Sequence, residues 1–87
     1  MRPAELLRTA RQEVSDLTGR RVETVSGLRR DGDESWVVNV EVLEVERVPN
    51  TMDLLASYAV TLSDDGEVLG FERQRRYHRA AADDGRR

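Results

Sequence analysis

The sequence predicts an α+β domain in which an N-terminal helix packs on one face of a four-stranded antiparallel β-meander. Three observations lead there. Apolar residues recur at helical spacing between residues 3 and 18. The apolar period then changes to two in four successive segments. Those segments are joined by short stretches rich in Asp, Gly, Asn and Pro, which suit antiparallel neighbours in a single sheet.

Within residues 3–18, Pro3 suits the first helical turn, where a missing N–H costs nothing. Leu6, Leu7, Ala10, Val14 and Leu17 form an apolar stripe expected to dock on the sheet, and Gly19 is placed to end the helix at a left-handed position. Residues 21–30 are the first strand, with Val22, Thr24, Ser26 and Leu28 on one face and Val25 on the other. Gly27 weakens this strand or marks a bulge, and Asp31-Gly32-Asp33 is a turn.

Residues 35–47 are the clearest strand. Trp36, Val38, Val40 and Val42 alternate with Val37, Asn39 and Glu41, then the apolar phase slips to Leu43 and Val45 with Glu44 and Glu46 opposite. A slip of one residue is what a β-bulge or sharp twist produces. Val48 to Asp53 breaks the strand. Residues 54–62 follow, with Leu54, Ala56, Tyr58, Val60 and Leu62 on one face. Asp64-Asp65-Gly66 turns the chain into a last strand, 67–78, with Leu69, Phe71 and Tyr77 expected inward. Residues 1–79 thus form one domain, and 80–87 a polar C-terminal tail expected to be disordered.

A chain of 87 residues buries roughly 60–65% of its unfolded surface, so the core is thin and a homodimer or partner would add stability. There is no cysteine, which excludes disulfides, thiolate zinc sites and thiol catalysis. No apolar run resembles a signal peptide or approaches the ~20 residues of a membrane span, so the expected location is the cytoplasm, without membrane or cofactor. All 14 basic residues are Arg, with no Lys and no Ile, a bias that points to a GC-rich genome rather than to phosphate binding.

Charge is strongly polarised. Residues 31–72 hold 11 acids against Arg47 alone, whereas residues 1–30 carry +3 and residues 73–87 carry +4. Simple alternation places Arg73, Arg75, Tyr77 and Arg79 on one face of the last strand, continuing from Leu69 and Phe71, and Gln74, Arg76 and His78 on the other. Arg and Tyr are favoured interface anchors, so a docking surface is one reading. A solvated strand whose arginines pair with the strand glutamates is the second, with little energy per pair. Nucleic acid is the third, disfavoured by the acidic middle of the chain. Pro49, Thr51, Met52 and Asp53 lie in a loop that reads either as a structured connection or as a recognition loop, with Thr51 or Asp53 accepting backbone hydrogen bonds.

Catalysis has little support. His78, the one histidine, sits among arginines, and no Ser or Asp stands at a recognisable triad or elbow spacing. The acids at Asp31, Asp33 and Glu34, and at Asp64, Asp65 and Glu67, read as turn residues ahead of a weak cation site, since neither follows the calcium-loop pattern. Gly66 and Gly70 make no phosphate-cradling loop, because no helix follows them.

The run Arg47-Val48-Pro49-Asn50-Thr51-Met52-Asp53-Leu54-Leu55-Ala56-Ser57-Tyr58 resembles the R-x-P-x-T-x-D-x-L-A-x-Y block of the gas vesicle protein O family. Asp65 through Phe71 and the ending Arg73-x-x-Arg76-Tyr77-x-Arg79 continue the pattern. Thr18-Gly19-Arg20 and Gly32 through Trp36 fit its front half, so the resemblance spans about residues 4–79. It departs in two ways: many relatives carry a longer charged N-terminal extension not present in these residues, and Ala59 stands where an acid is more frequent.

The resemblance implies a non-enzymatic accessory protein of gas vesicle formation, an adaptor that binds shell and accessory proteins and is associated with the vesicles. It supplies no catalytic residues. Arg73, Arg76, Tyr77, Arg79 and the Pro49–Asp53 loop match its motif and become the candidates for partner contact, with Arg75 beside them. The alternatives are a nucleic-acid-binding regulator using the same arginines, or a small inhibitory module, since a helix followed by a meander also resembles peptidase-propeptide-like domains.

Overall fold

In the computed structural model, which describes residues 2–80, a helix α1 (Pro3–Thr18) precedes strands β1 (Arg21–Arg30), β2 (Ser35–Val45), β3 (Leu54–Ser63) and β4 (Val68–His78). The strands form one antiparallel sheet in the order β1-β2-β3-β4, the expected meander. The expected tail lies outside the described residues except for Ala80, which continues a helical turn from Arg79.

Pro3 occupies the first turn of α1, and Gly19 ends it at φ 67°, with its N–H donating to the Ser15 carbonyl at 2.9 Å. Leu6, Ala10 and Val14 are fully buried against Val38, Val40 and Val42 of β2 and Ala56, Tyr58, Val60 and Leu62 of β3. Leu17 departs from expectation and is 58% exposed: it stands in the last turn, where the sheet no longer covers the stripe.

Bulges correct the remaining face assignments. In β1 the pairing skips between Val22 and Thr24 and again between Val25 and Gly27. Val22, Val25 and Leu28 therefore all turn to the core, opposite Val42, Val40 and Val38, where strict alternation separates Val25 from the other two. The slip expected near the end of β2 is present, since Leu43 pairs with Leu55 and Val45 with Leu54. Its outcome is the reverse of the expected one. Glu44 is the looped-out residue and is buried, while Val45 is exposed. The face assigned to β3 holds, with Ala56, Tyr58, Val60 and Leu62 buried.

The helix packs on β1, β2 and β3, leaving β4 an edge strand that is mostly exposed. Leu69, expected inward, is 57% exposed at a bulge, and Phe71 lies at the surface with its ring stacked on Tyr58 at 5.0 Å between centroids. The two hairpin turns meet at one end of the sheet, where the Asp64 N–H donates to the Glu34 carbonyl at 3.1 Å. The Arg47–Asp53 connection, with a cis Val48–Pro49 peptide and a 3-10 turn over Asn50–Met52, lies at the opposite end beside the finish of β4.

Leu6→Ala should lower stability by about 2–5 kcal/mol, because it opens a cavity at the centre of the helix–sheet contact. Leu17→Ala, on the same stripe but exposed, should change it by no more than about 0.5 kcal/mol in the same denaturant titration.

Candidate docking surface around the last strand

The arrangement of β4 follows from a bulge at Gln74. Tyr58 pairs with Arg73, but Ser57 pairs with Arg75, so one residue of β4 has no counterpart. Arg73, Arg76 and His78 consequently lie opposite Tyr58, Ala56 and Leu54, on the face that the helix covers farther along the sheet. Arg75 and Tyr77 lie opposite Ser57 and Leu55, on the open face. The single face of Arg73, Arg75, Tyr77 and Arg79 expected from alternation is thus split in two. Gln74 itself is held on the open face by the Asn39 side-chain amide, 3.0 Å from its Oε1.

Each half of β4 is anchored by a glutamate of β2. On the helix-covered side, the Glu44 side chain is 3% exposed. The Arg76 Nε donates to its Oε1 at 2.6 Å, and Arg73 Nη1 stands 3.7 Å from Oε2. The Tyr58 hydroxyl donates to Oε2 at 3.4 Å, and Arg20, just after the helix, donates to the Glu44 carbonyl. On the open side, Glu41 is also buried. Its Oε2 accepts the Ser26 hydroxyl at 2.6 Å and the Ser57 hydroxyl at 2.9 Å, and its Oε1 accepts the Tyr77 hydroxyl at 2.5 Å. One carboxylate thereby joins all four strands.

The Pro49–Asp53 loop is tied to the end of β4 through Asp53. The Arg47 backbone N–H donates to Asp53 Oδ1 at 2.7 Å, as expected for a loop acid. Arg79 Nη2 reaches Oδ2 at 3.0 Å, its Nη1 reaches Glu23 of β1 at 2.8 Å, and its own N–H donates to the Asp53 carbonyl. The backbone N–H of Arg47, and after it the Arg79 guanidinium, hold the Asp53 carboxyl below the usual carboxylate range against the opposing effect of burial. Burial, and after it the acceptor Glu41, push the Tyr77 phenol above its ordinary value.

The candidates therefore divide by role. Asp53, Arg79 and the Tyr77 hydroxyl are used inside the fold. Arg73 and Arg76 keep side chains 47% and 51% exposed while bound to Glu44. Arg75 stacks over the Tyr77 ring at 4.5 Å and has no carboxylate partner among the described residues. Pro49, Thr51 and Met52 are exposed at the same end. The outcome is a set of guanidinium groups along both faces of β4, Arg73 and Arg76 held by buried Glu44 and Arg75 laid over Tyr77, with the Met52 thioether exposed at the same end of the sheet. The strand glutamates read as possible arginine partners are Glu44, for Arg73 and Arg76, and Glu23, for Arg79; Glu41, Ser26 and Ser57 are the site residues that sequence reasoning missed. Their available signal was Glu41 set between Val40 and Val42 in a central strand whose polar residues are only Ser35, Asn39, Glu41 and Glu44.

Among the described residues no three His, Cys, Asp or Glu side chains converge as a metal site would require. No helix among them is long and apolar enough to cross a membrane. Asp64, in one acidic turn, accepts from Trp36 Nε1 at 2.8 Å and from Arg30 at 3.0 Å.

The family model for the gas vesicle synthesis protein GvpO matches residues 1–83. A gas vesicle protein O from Streptomyces sp. (strain CB03234) is 49% identical over 81 residues, covering 93% of this chain and 62% of that relative. Gas vesicle protein O1 of Halobacterium salinarum is 37% identical over 70 residues, covering 80% of this chain and 58% of the relative. Gas vesicle protein O of Haloferax mediterranei is 31% identical over 70 residues, covering 80% and 50% respectively. The chain thus spans between half and two thirds of the length of these relatives. No solved structure matches.

Two pH effects follow. A depressed Asp53 contributes stability that is present above its unfolded value near 3.9 and is lost as pH falls through the lower folded value, so Asp53→Asn should flatten the acid limb of the stability curve. A raised Tyr77 contributes stability that is present below about pH 10 and is lost as pH rises toward the folded value, so Tyr77→Phe should flatten the alkaline limb. Glu41→Ala, which strands three hydroxyls, should cost about 1–3 kcal/mol in urea unfolding at neutral pH.

Proposed function

We propose that this chain, which belongs to the gas vesicle synthesis protein GvpO family, is a non-enzymatic accessory protein of gas vesicle formation that binds other gas vesicle proteins through the guanidinium rim of β4 and the adjoining loop. Family membership over residues 1–83 supports the process, and the names of the relatives point the same way. The observation that carries the surface is the pairing of exposed arginines with buried acids. Arg73 and Arg76 are bound to Glu44 yet remain half in solvent, so their charge is presented without the entropy cost of fixing a free side chain.

The same anchoring suits recognition of protein rather than bulk charge attraction. Arg75 over the Tyr77 ring makes a planar platform, and Met52 is an exposed apolar side chain at the same end of the sheet. The partners in this reading are shell and accessory proteins of the vesicle, and the site of action is the cytoplasm at the growing vesicle. A nucleic-acid surface is disfavoured by the acidic residues of β2 and of the two hairpin turns.

The test must avoid positions on which the fold depends. Reversing Arg73 or Arg76 would set a carboxylate against buried Glu44, whereas Arg75 and Met52 are exposed. Arg75→Glu combined with Met52→Ser should leave the unfolding midpoint nearly unchanged. It should weaken co-purification with gas vesicle proteins by roughly tenfold or more, as loss of an interface anchor does, and lower vesicle yield in complementation. Unchanged co-purification and yield would remove the surface assignment.

A further inference from the structure

A second basic surface lies away from β4. Arg8, Arg11, Gln12 and Ser15 recur at helical spacing on one stripe of α1, lateral to the buried stripe of Leu6, Ala10 and Val14. This lateral stripe faces Arg21 and Val22 of β1 across an open cleft of about 390 Å³. Arg8 and Arg11 have no carboxylate partner among the described residues, and Arg21 has only Glu23 at 3.6 Å, with its side chain largely in solvent. Gln12, also at the cleft, donates to Asp16 at 2.8 Å. The cleft therefore gathers three guanidinium groups, Arg8 and Arg11 with no carboxylate partner among the described residues and Arg21 held loosely by Glu23.

We propose that this cleft binds an acidic, extended segment of a partner protein, with carboxylates on alternate residues. The dimensions fit. Side chains three apart on a helix stand about 5–6 Å from one another, as Arg8 and Arg11 do in sequence. Carboxylates on residues i and i+2 of an extended chain lie on one side, about 6.5 Å apart. The stripe from Arg8 to Ser15 spans about 10 Å of helix, the length of three extended residues. Each guanidinium can take a carboxylate through two parallel N–H groups, while Val22 and the arginine stems supply an apolar floor.

Charge and shape select this occupant over others. The cleft is open, so it does not enclose a small molecule as a cofactor pocket does. A duplex needs a long basic track, and beyond these three arginines the surface carries Glu5, Glu13, Asp16 and the acidic hairpin turns. A second copy of the chain offers acids mainly at its two hairpin turns, Asp31, Asp33 and Glu34 and Asp64, Asp65 and Glu67, which are tight turns closed by the Asp31–Ser35 and Ser63–Glu67 hydrogen bonds and not extended segments. This inference is independent of the β4 surface.

The test is a titration of the isotopically labelled full chain, followed by amide NMR, with the hexapeptide Glu-Ser-Glu-Ser-Glu-Ser at low salt. The amides of residues 8–15 and 21–22 should shift, and Arg8→Gln with Arg11→Gln should weaken the peptide at least tenfold while leaving the spectrum folded. Arg75→Glu should leave this binding intact, which separates the cleft from the rim of β4. Shifts confined to residues 73–79, no loss in the Arg8/Arg11 variant, or tighter binding of duplex DNA or inorganic phosphate at the same amides would each overturn the proposal.

Discussion

The structure depends on one constraint, which is that two carboxylates buried in the central strand must be fully matched. Glu41 and Glu44 leave β2 on opposite faces because they stand three residues apart in an alternating strand, and Glu44, looped out at the bulge, continues the buried phase of Val38, Val40 and Val42. An unpaired buried carboxylate is costly enough to unfold a domain of this size. Here each is surrounded by donors, hydroxyls from three strands around Glu41, and guanidinium groups and a phenol around Glu44. Among the described residues no buried side-chain nitrogen or oxygen lacks a partner.

This pairing decides what β4 is. As the edge strand that the helix leaves bare, it has little apolar burial to hold it. Its attachment comes from the β3 ladder and from Arg76, Tyr77 and Arg79, which reach Glu44, Glu41, and Asp53 with Glu23. The choice between arginines that pair with strand glutamates and arginines that form an outward surface is not exclusive. The same guanidinium groups do both, because Arg is long and its fork leaves N–H groups over after one carboxylate is bound. The bulges in β1 and β4, together with exposed arginines, also discourage chance edge-to-edge pairing of a sheet with two open edges.

Charge polarity in the sequence becomes a spatial division in the fold. Both hairpin turns of the meander fall at one end of the sheet, which collects Asp31, Asp33, Glu34, Asp64, Asp65 and Glu67. The starts of β1 and β3 and the finish of β4 fall at the other end, with Arg20, Arg21, Arg75, Arg76 and Arg79. A meander with short turns produces this separation from linear blocks of charge. It leaves basic surfaces at two places, the β4 rim and the helix–β1 cleft, with different geometry and different partners inferred for each.

By itself the sequence determined the helix, its Pro3 start and Gly19 stop, the four strands, their turns and the antiparallel order, because each rests on local periodicity or on the conformational preference of single residues. The family was also legible, since its motif is a linear pattern across the Arg47–Tyr58 and Asp65–Arg79 segments. Only the tertiary structure decided which way side chains point beyond a bulge. One unpaired residue inverts every later face, and its position depends on which buried polar groups find partners across the sheet. Val25 on the same face as Val22 and Leu28, and Arg73 on the opposite face from Arg75, are consequences of such bulges. No alternation rule applied to a single strand contains the donors that Tyr58, Arg76, Ser26 and Tyr77 bring from the others.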